Sequence, residues 1–85
     1  MNWRISVGNI AKKQLNKIHP KDTEKIEAAI NKLSEDPFGG DVQKLADKEN
    51  IWRRRVGAFR IFYSPDHNFH VIYILEIKRR TSNTY

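Results

Sequence analysis

The spacing of apolar residues changes along the first half of the chain. Residues 2–7 alternate between polar and apolar side chains, which predicts a first strand. After a break at Gly8, apolar residues recur at helical spacing, which predicts a short helix that ends before Pro20. A second helix is predicted next, ending near Asp36, because a residue that precedes a proline such as Pro37 disfavours helical angles. The apolar positions of the two helices are Ala11, Leu15, Ile18, Ile26, Ala29, Ile30 and Leu33.

The second half of the chain carries three predicted strands separated by turn residues. Gly57 forms a tight turn or bulge between the first two strands, and residues 64–68 form a turn cluster before the third. The third strand contains the run 71–75, which is apolar on both faces, as expected of a central strand. Upstream, Val42 and Leu45 indicate a short strand or an extended arm. The three strands are predicted at residues 51–56, 58–63 and 69–77.

These elements predict one α+β domain over residues 1–85. A chain of 85 residues has material for a single hydrophobic core. The order β-α-α-β-β-β places two helices on one face of a small, largely antiparallel sheet. The helices cover only that face, so the opposite face is expected to be open.

Positive charge is concentrated in the last part of the chain. The net charge is +6, and residues 51–85 alone hold seven Lys or Arg against two Asp or Glu. By strand alternation Arg53 and Arg55 point away from the apolar side, and Arg60 is expected to join them. Arg54 falls on the apolar side and is expected at a sheet edge, with its stem packed and its head in water. A cationic open face rich in arginine predicts a polyanionic partner.

Other chemistries are disfavoured by the composition. The chain has no cysteine, so disulfides, thiol nucleophiles and zinc–thiolate sites are excluded. No group of Asp, Glu or His has metal-ligand spacing, and we expect neither a metal nor another cofactor. His19, His67 and His70 are interpreted as structural or surface residues. With no apolar leader and no run of membrane-spanning length, we expect a cytoplasmic protein.

The segment WRRRVGAFRIFY at residues 52–63 resembles the RelE/ParE toxin superfamily of type II toxin–antitoxin systems. Members share its order of aromatic, basic and apolar residues, then glycine, then aromatic-Arg-apolar-apolar-Tyr. The pair Asp36-Pro37, the pair Lys44-Leu45 and the basic tail KRRTSNTY at residues 78–85 also match. The resemblance covers essentially the whole chain, and it is greatest to RelE-like mRNA interferases. It implies the RelE-like fold, bacterial or archaeal origin and ribosome-dependent cleavage of mRNA.

The resemblance also implies roles for individual residues. Arg60 matches the arginine that contacts the scissile phosphate, Arg79 the one that assists the leaving group, and Tyr85 the tyrosine that stacks on or orients the nucleotide. Arg53 and Arg55 match two basic strand positions where relatives carry lysines assigned as general bases. Because arginine stays protonated, with a pKa above about 12, both are interpreted as charge stabilisers and the general base is left unassigned. The predicted RNA-binding residues are Arg53, Arg55, Lys44, Lys78 and Arg80.

A toxin of this superfamily implies a cognate antitoxin, RelB-like and acidic, lying over the basic face. Two other functions stay open at this point. One is a ParE-like inhibitor of DNA gyrase, which shares the fold and lacks the basic nuclease residues. The other is a noncatalytic module that binds nucleic acid, because Arg53 and Arg55 cannot easily act as bases.

Overall fold

The computed structural model of the protein describes residues 2–79, and its two helices and five strands contain the predicted order of elements. The short segment after the second helix is a strand rather than an arm, which raises the number of strands to five. Arg80 and Tyr85, two of the predicted site residues, lie outside the described residues. The elements are β1 (Arg4–Val7), α1 (Asn9–Asn16), α2 (Pro20–Glu35), β2 (Val42–Lys44), β3 (Trp52–Val56), β4 (Phe59–Asp66) and β5 (Val71–Arg79).

The strands form one sheet in the order β1-β5-β4-β3-β2. β1 runs parallel to β5, and the three other pairs are antiparallel, which confirms the predicted α+β class with a largely antiparallel sheet. β5 lies between β1 and β4, as the doubly apolar run in its sequence predicts. The β4–β5 register shifts between Phe62 and Tyr63, where Leu75 is the extra residue of β5.

β4 is longer than predicted, because the first three residues of the expected turn cluster belong to it. Ser64, Pro65 and Asp66 pair with β5. A proline is tolerated here because pairing between β4 and β3 stops at Tyr63, which leaves a free edge beyond it. The side-chain amide of Asn50 donates to the Pro65 carbonyl at 2.7 Å, so a loop side chain replaces the missing strand.

The helix ends follow from local chemistry. Pro20 occupies the first turn of α2, and Nδ1 of His19 accepts a hydrogen bond from the backbone N–H of Lys21 at 3.2 Å. Asp22 in the first turn complements the positive end of the helix dipole. The helix ends where Asp36 turns to extended angles before Pro37. Within the described part of the chain, no helix combines the length and hydropathy needed to cross a membrane.

The core lies between the helices and one face of the sheet. The stripe predicted for α2 is buried there, together with alternate residues of β4 and β5. Tyr63 is fully buried, and its hydroxyl donates to the Pro37 carbonyl, so the core is tied to the segment that follows α2. Its buried apolar residues are Ala11, Ile26, Ala29, Ile30, Leu33, Phe59, Ile61, Tyr63, Val71, Ile72, Ile74 and Ile77.

Replacing Tyr63 with phenylalanine is expected to destabilise the protein by about 1–3 kcal/mol, because the buried Pro37 carbonyl loses its donor. Burial raises the pKa of the Tyr63 phenol above its usual value, so the unfolded chain loses this proton first. The stabilisation is complete below about pH 10, the phenol's pKa in the unfolded chain, and declines by about 1.4 kcal/mol per pH unit above it. Urea unfolding between pH 7 and 11 should show the free energies of unfolding of the wild-type and Tyr63→Phe proteins converging as the pH rises. A difference that stays constant would contradict this dependence on the phenol proton.

Candidate functional site

The sheet face that the helices leave uncovered, here called the outer face, carries a row of positive charges. Arg55 in β3 lies directly opposite Arg60 in β4. Arg60 in turn lies directly opposite Lys78 in β5. Adjacent strands are about 4.8 Å apart, so these residues, which we call the cation row, have backbones spanning about 10 Å across three strands.

The cation row is unfavourable in isolation, because like charges directly opposite each other repel. Its two ends have acidic neighbours: Asp41 Oδ2 lies 3.8 Å from Arg55 Nε, and Glu76 Oε1 lies 3.8 Å from Lys78 Nζ. Arg60, in the middle, forms no salt bridge with any described residue, and its Nε is buried without a hydrogen-bond partner there. The middle of the row is therefore the position where a bound anion would stabilise most.

Arg53 supports the row from the next cross-strand position on the outer face. It lies between Gln43 and Phe62 in the register of the sheet. Its side chain is largely buried, at 9% exposure, and Nη2 donates to Gln43 Oε1 at 2.6 Å. Its Nη1 is buried with no partner among residues 2–79. Lys78 Nζ lies 5.7 Å from the Phe62 ring centroid, so an aromatic ring forms the floor beside the cations.

Two of the predicted site residues lie on the helix-packed face, apart from the cation row. Arg79 pairs with Phe59, and its guanidinium lies 5.4 Å from that ring, beside a hollow lined by both helices. Lys44, in the edge strand β2, pairs with Trp52 of β3. Because consecutive strand residues point to opposite faces, Lys78 and Arg79 cannot both face Arg60. The structure thus brings together Arg53, Arg55, Arg60 and Lys78 and leaves Lys44 and Arg79 elsewhere.

Arg54 lies on the helix-packed face, as alternation predicts, although not at a sheet edge, because β2 pairs with β3 beyond it. Its guanidinium is placed against Gly40, which adopts a positive φ of 82°. A Cβ at Gly40 would lie 3.0 Å from Arg54 Nη1. Glycine at this position therefore provides both the turn and the space for the arginine.

His67 and His70 are far from the cation row, whereas His19 lines the hollow on the helix-packed side together with Phe59 and Arg79. His67 and His70 lie at the β4–β5 turn and join an aromatic cluster in which the Trp3 and His70 ring centroids are 4.0 Å apart. A strand rises about 3.3 Å per residue, so this turn lies about 20 Å from Arg60 along β4. These placements support a structural interpretation, and they exclude both histidines from acid–base chemistry at Arg60 in this conformation.

Glu76 is a candidate residue that our sequence reasoning missed. It pairs with Phe62 and lies two residues before Lys78, so it shares the outer face with the cation row. The sequence signal that could have found Glu76 is its spacing of two residues from Lys78, because residues two apart in a strand share a face. The charge composition does not single out Glu76, because one carboxylate within a basic segment is common on protein surfaces. The outer face therefore combines clustered cations, which can neutralise phosphate charge, with one adjoining carboxylate.

Solved structures place this architecture in a known class. RelE in the RelE–RelB complex of Pyrococcus horikoshii OT3 is 25% identical, with a TM-score of 0.84, and the match covers 98% of this chain and 100% of that one. The RelBE2 toxin–antitoxin complex of Mycobacterium tuberculosis gives 22% identity, coverages of 94% and 100%, and a TM-score of 0.83. The isolated E. coli RelE toxin gives 13% identity, coverages of 95% and 87%, and a TM-score of 0.84. The chain has the RelE-like fold.

The family follows from the sequence match. The model described as "ParE toxin of type II toxin-antitoxin system, parDE" matches residues 5–84. The chain therefore belongs to the ParE toxin family, within the RelE/ParE superfamily of type II toxins. No curated protein matches it.

Proposed function

We propose that this toxin is an endoribonuclease that cleaves mRNA on the ribosome and thereby inhibits translation. The observation that carries the proposal is the cation row on the uncovered face, with Arg60 at its centre and no acidic partner for Arg60 among the described residues. A surface of this kind is suited to a phosphodiester backbone, because fixed guanidinium groups are preorganised for phosphate oxygens.

The chemistry assigned to the row is stabilisation of charge. When the 2′-hydroxyl of a ribose attacks the neighbouring phosphate, negative charge builds up on the phosphoryl oxygens in the pentavalent state. Arg60, which is flanked by Arg55 and Lys78, is the residue proposed to contact these oxygens. Preorganised cations of this kind are often the largest single term in catalysis. His67 and His70 are distant from the row and His19 lies on the helix-packed side, so binding on the ribosome is proposed to position the mRNA for in-line attack.

We also propose an acidic RelB-like antitoxin as the partner of this chain. The structural relatives from P. horikoshii and M. tuberculosis are toxin–antitoxin complexes. An acidic segment over the outer face would relieve the repulsion within the cation row and block RNA at the same time. Footprinting of the complex should protect Arg55 and Lys78; protection confined to the helices would contradict masking of the outer face.

DNA gyrase inhibition is the second candidate, because the family model that matches residues 5–84 is that of ParE toxins. Under this alternative the cation row would contact gyrase or its DNA and perform no chemistry. The two candidates differ in product: one yields cut mRNA, the other yields trapped gyrase–DNA cleavage complexes.

The deciding experiment adds the purified full chain to a reconstituted translation reaction and maps mRNA ends by primer extension, with and without ribosomes. A parallel reaction contains gyrase and supercoiled DNA. We expect new mRNA ends that depend on ribosomes and no trapped DNA. Intact mRNA together with gyrase–DNA complexes would overturn the proposal in favour of gyrase inhibition.

Two exposed lysines, one on each sheet face, provide a matched test of which face binds RNA. Replacing Lys78 with glutamine should weaken RNA binding and reduce the slope of log affinity against log salt by about 0.7, the change for one single-strand phosphate contact. Replacing Lys44 with glutamine removes the same charge from the opposite face, where we expect almost no effect. Titration at several salt concentrations measures both variants. Equal effects would show that the net charge, and not the outer face, governs binding.

A further inference from the structure

We propose that Glu76 and Lys78 form the acid–base pair of this nuclease, with Glu76 accepting the proton of the attacking 2′-hydroxyl and Lys78 protonating the leaving 5′-oxygen. This inference rests on the proposed RNA cleavage. It assigns the proton acceptor that the arginines cannot supply, and it gives Lys78 the leaving-group role that the resemblance alone suggests for Arg79.

The geometry of β5 carries the assignment. Glu76 and Lys78 project from the same face of one strand, with Oε1 and Nζ 3.8 Å apart. Lys78 lies opposite Arg60, so a phosphate held at Arg60 is next to Lys78 and one step along the strand from Glu76. A hollow of about 310 Å³ opens beside the pair, lined by Phe62 and by Lys48 of the β2–β3 loop, and leaves space for a nucleotide.

A carboxylate on this face has an electrostatic cost for a protein that binds RNA, since it repels the phosphate backbone. The other acid near the row, Asp41, lies at the edge of the sheet before β2, and its backbone carbonyl also accepts from the Arg55 N–H at 3.1 Å. Asp41 is therefore placed to orient Arg55. Glu76 lies on an interior strand next to Lys78, where a proton acceptor could reach the ribose.

The proposed step balances in atoms and protons. The 2′-oxygen forms a bond to phosphorus as the P–O5′ bond breaks, and the 2′-hydroxyl proton passes to the Glu76 carboxylate. The departing 5′-oxygen takes a proton from the Lys78 ammonium. The products are a 2′,3′-cyclic phosphate and a 5′-hydroxyl, with Glu76 protonated and Lys78 neutral. Their separation of 3.8 Å is short enough for one water to return the proton to Lys78 and reset the site.

The first test replaces Glu76 with glutamine in the full chain and measures single-turnover cleavage of ribosome-bound mRNA. We expect a rate about 10²- to 10⁴-fold lower, as for loss of a general base. RNA affinity should be unchanged or higher, because a repulsive charge is removed. Glu27→Gln, an exposed position on α2, is the matched control with the same charge change and should cleave normally. Glu76→Asp, which keeps the carboxylate, should retain part of the activity.

The dependence of the rate on pH separates chemistry from structure. The wild-type rate should rise tenfold per pH unit at acidic pH and then level off, and this rise should be absent in Glu76→Gln. The charged groups around Glu76 are Lys78 on its own strand, Arg60 of β4 opposite Lys78, Lys48 from the loop, and Arg53 beyond Phe62. An unchanged rise in Glu76→Gln that disappears in Asp41→Asn would overturn the assignment.

A substrate whose bridging 5′-oxygen is replaced by sulfur tests the two roles individually, because a thiolate leaves without protonation. This substrate should restore cleavage by Lys78→Met and should not restore cleavage by Glu76→Gln. Restoration in both variants would show that Glu76 only positions Lys78, and the base assignment would be wrong. Wild-type protein that cuts no mRNA would refute the proposed function itself, whereas wild-type and Glu76→Gln proteins that cut equally would refute only this inference.

Discussion

Replacing Arg60 with methionine is expected to lower the rate of mRNA cleavage by about 10²- to 10³-fold, the usual cost of removing one preorganised group that stabilises transition-state charge. Methionine keeps most of the length of the side chain and removes only the guanidinium. Arg60 is flanked by cations on both sides and has no acidic partner among the described residues, so no neighbouring charge is left unpaired by the change. Single-turnover cleavage on programmed ribosomes measures the effect.

The same substitution is expected to make the protein more stable. Arg60 faces Arg55 on one side and Lys78 on the other, and each such like-charge pair is unfavourable, whereas a favourable cross-strand pair contributes about 0.2–1 kcal/mol. Urea unfolding should therefore give a higher midpoint for Arg60→Met at low salt, and the gain should shrink as salt screens the repulsion. Arg4→Met, a loss of the same charge at an exposed position of the edge strand β1, is the control and should change neither property much. A less stable Arg60→Met protein with normal cleavage would contradict both parts of the prediction.

The expectation that Arg60 lowers stability while it supports activity has a physical basis in the sheet. A row of cations across three adjacent strands violates the rule that cross-strand neighbours should be neutral or opposite in charge. Exceptions of this kind are expected where function requires them. Here the repulsion would be relieved by bound phosphate or by an acidic partner, and either would stabilise the folded state by an amount that grows with the logarithm of its concentration divided by its Kd.

The sequence predicts the helices and the arginine-bearing face well, for identifiable reasons. The α2 stripe repeats at helical spacing, and all of its apolar members are buried. Alternation places Arg53 and Arg55 on the outer face because β3 contains no irregularity, and Arg60 follows across a two-residue turn. In these segments one local pattern determines which way the side chains point.

β5 is the element where sequence reasoning is insufficient. Its run 71–75 is apolar on both faces, so no alternation there marks the outward positions. The extra residue Leu75 then shifts the register with β4, and the face of every later residue depends on that shift. Lys78 rather than Arg79 faces Arg60 for this reason, and Glu76 reaches the outer face with it. The position of the bulge depends on strand pairing, which a local pattern does not contain.

Replacing Ile74 with alanine is expected to destabilise the protein by about 2–5 kcal/mol, because a fully buried β5 side chain would leave a cavity. Ile74 pairs with Tyr63 of β4 and Val7 of β1, so neighbours on both strands lose contacts. A domain of this size has a free energy of unfolding of about 5–10 kcal/mol, so the loss would be a large fraction of the total. Urea unfolding at neutral pH measures it.

Leu75 is the matched control, because it is adjacent in β5 and 36% exposed on the outer face, whereas Ile74 is 0% exposed. Leu75→Ala removes a similar apolar side chain and should cost about 1 kcal/mol or less, since much of that side chain already contacts water. If the bulge is placed correctly, the loss in the free energy of unfolding must be more than twofold larger for Ile74→Ala than for Leu75→Ala. Equal effects would mean that β5 is shifted by one residue, and Lys78 would then turn away from Arg60. The stability measurement is thus an independent test of the register on which the cation row and the Glu76–Lys78 pair depend.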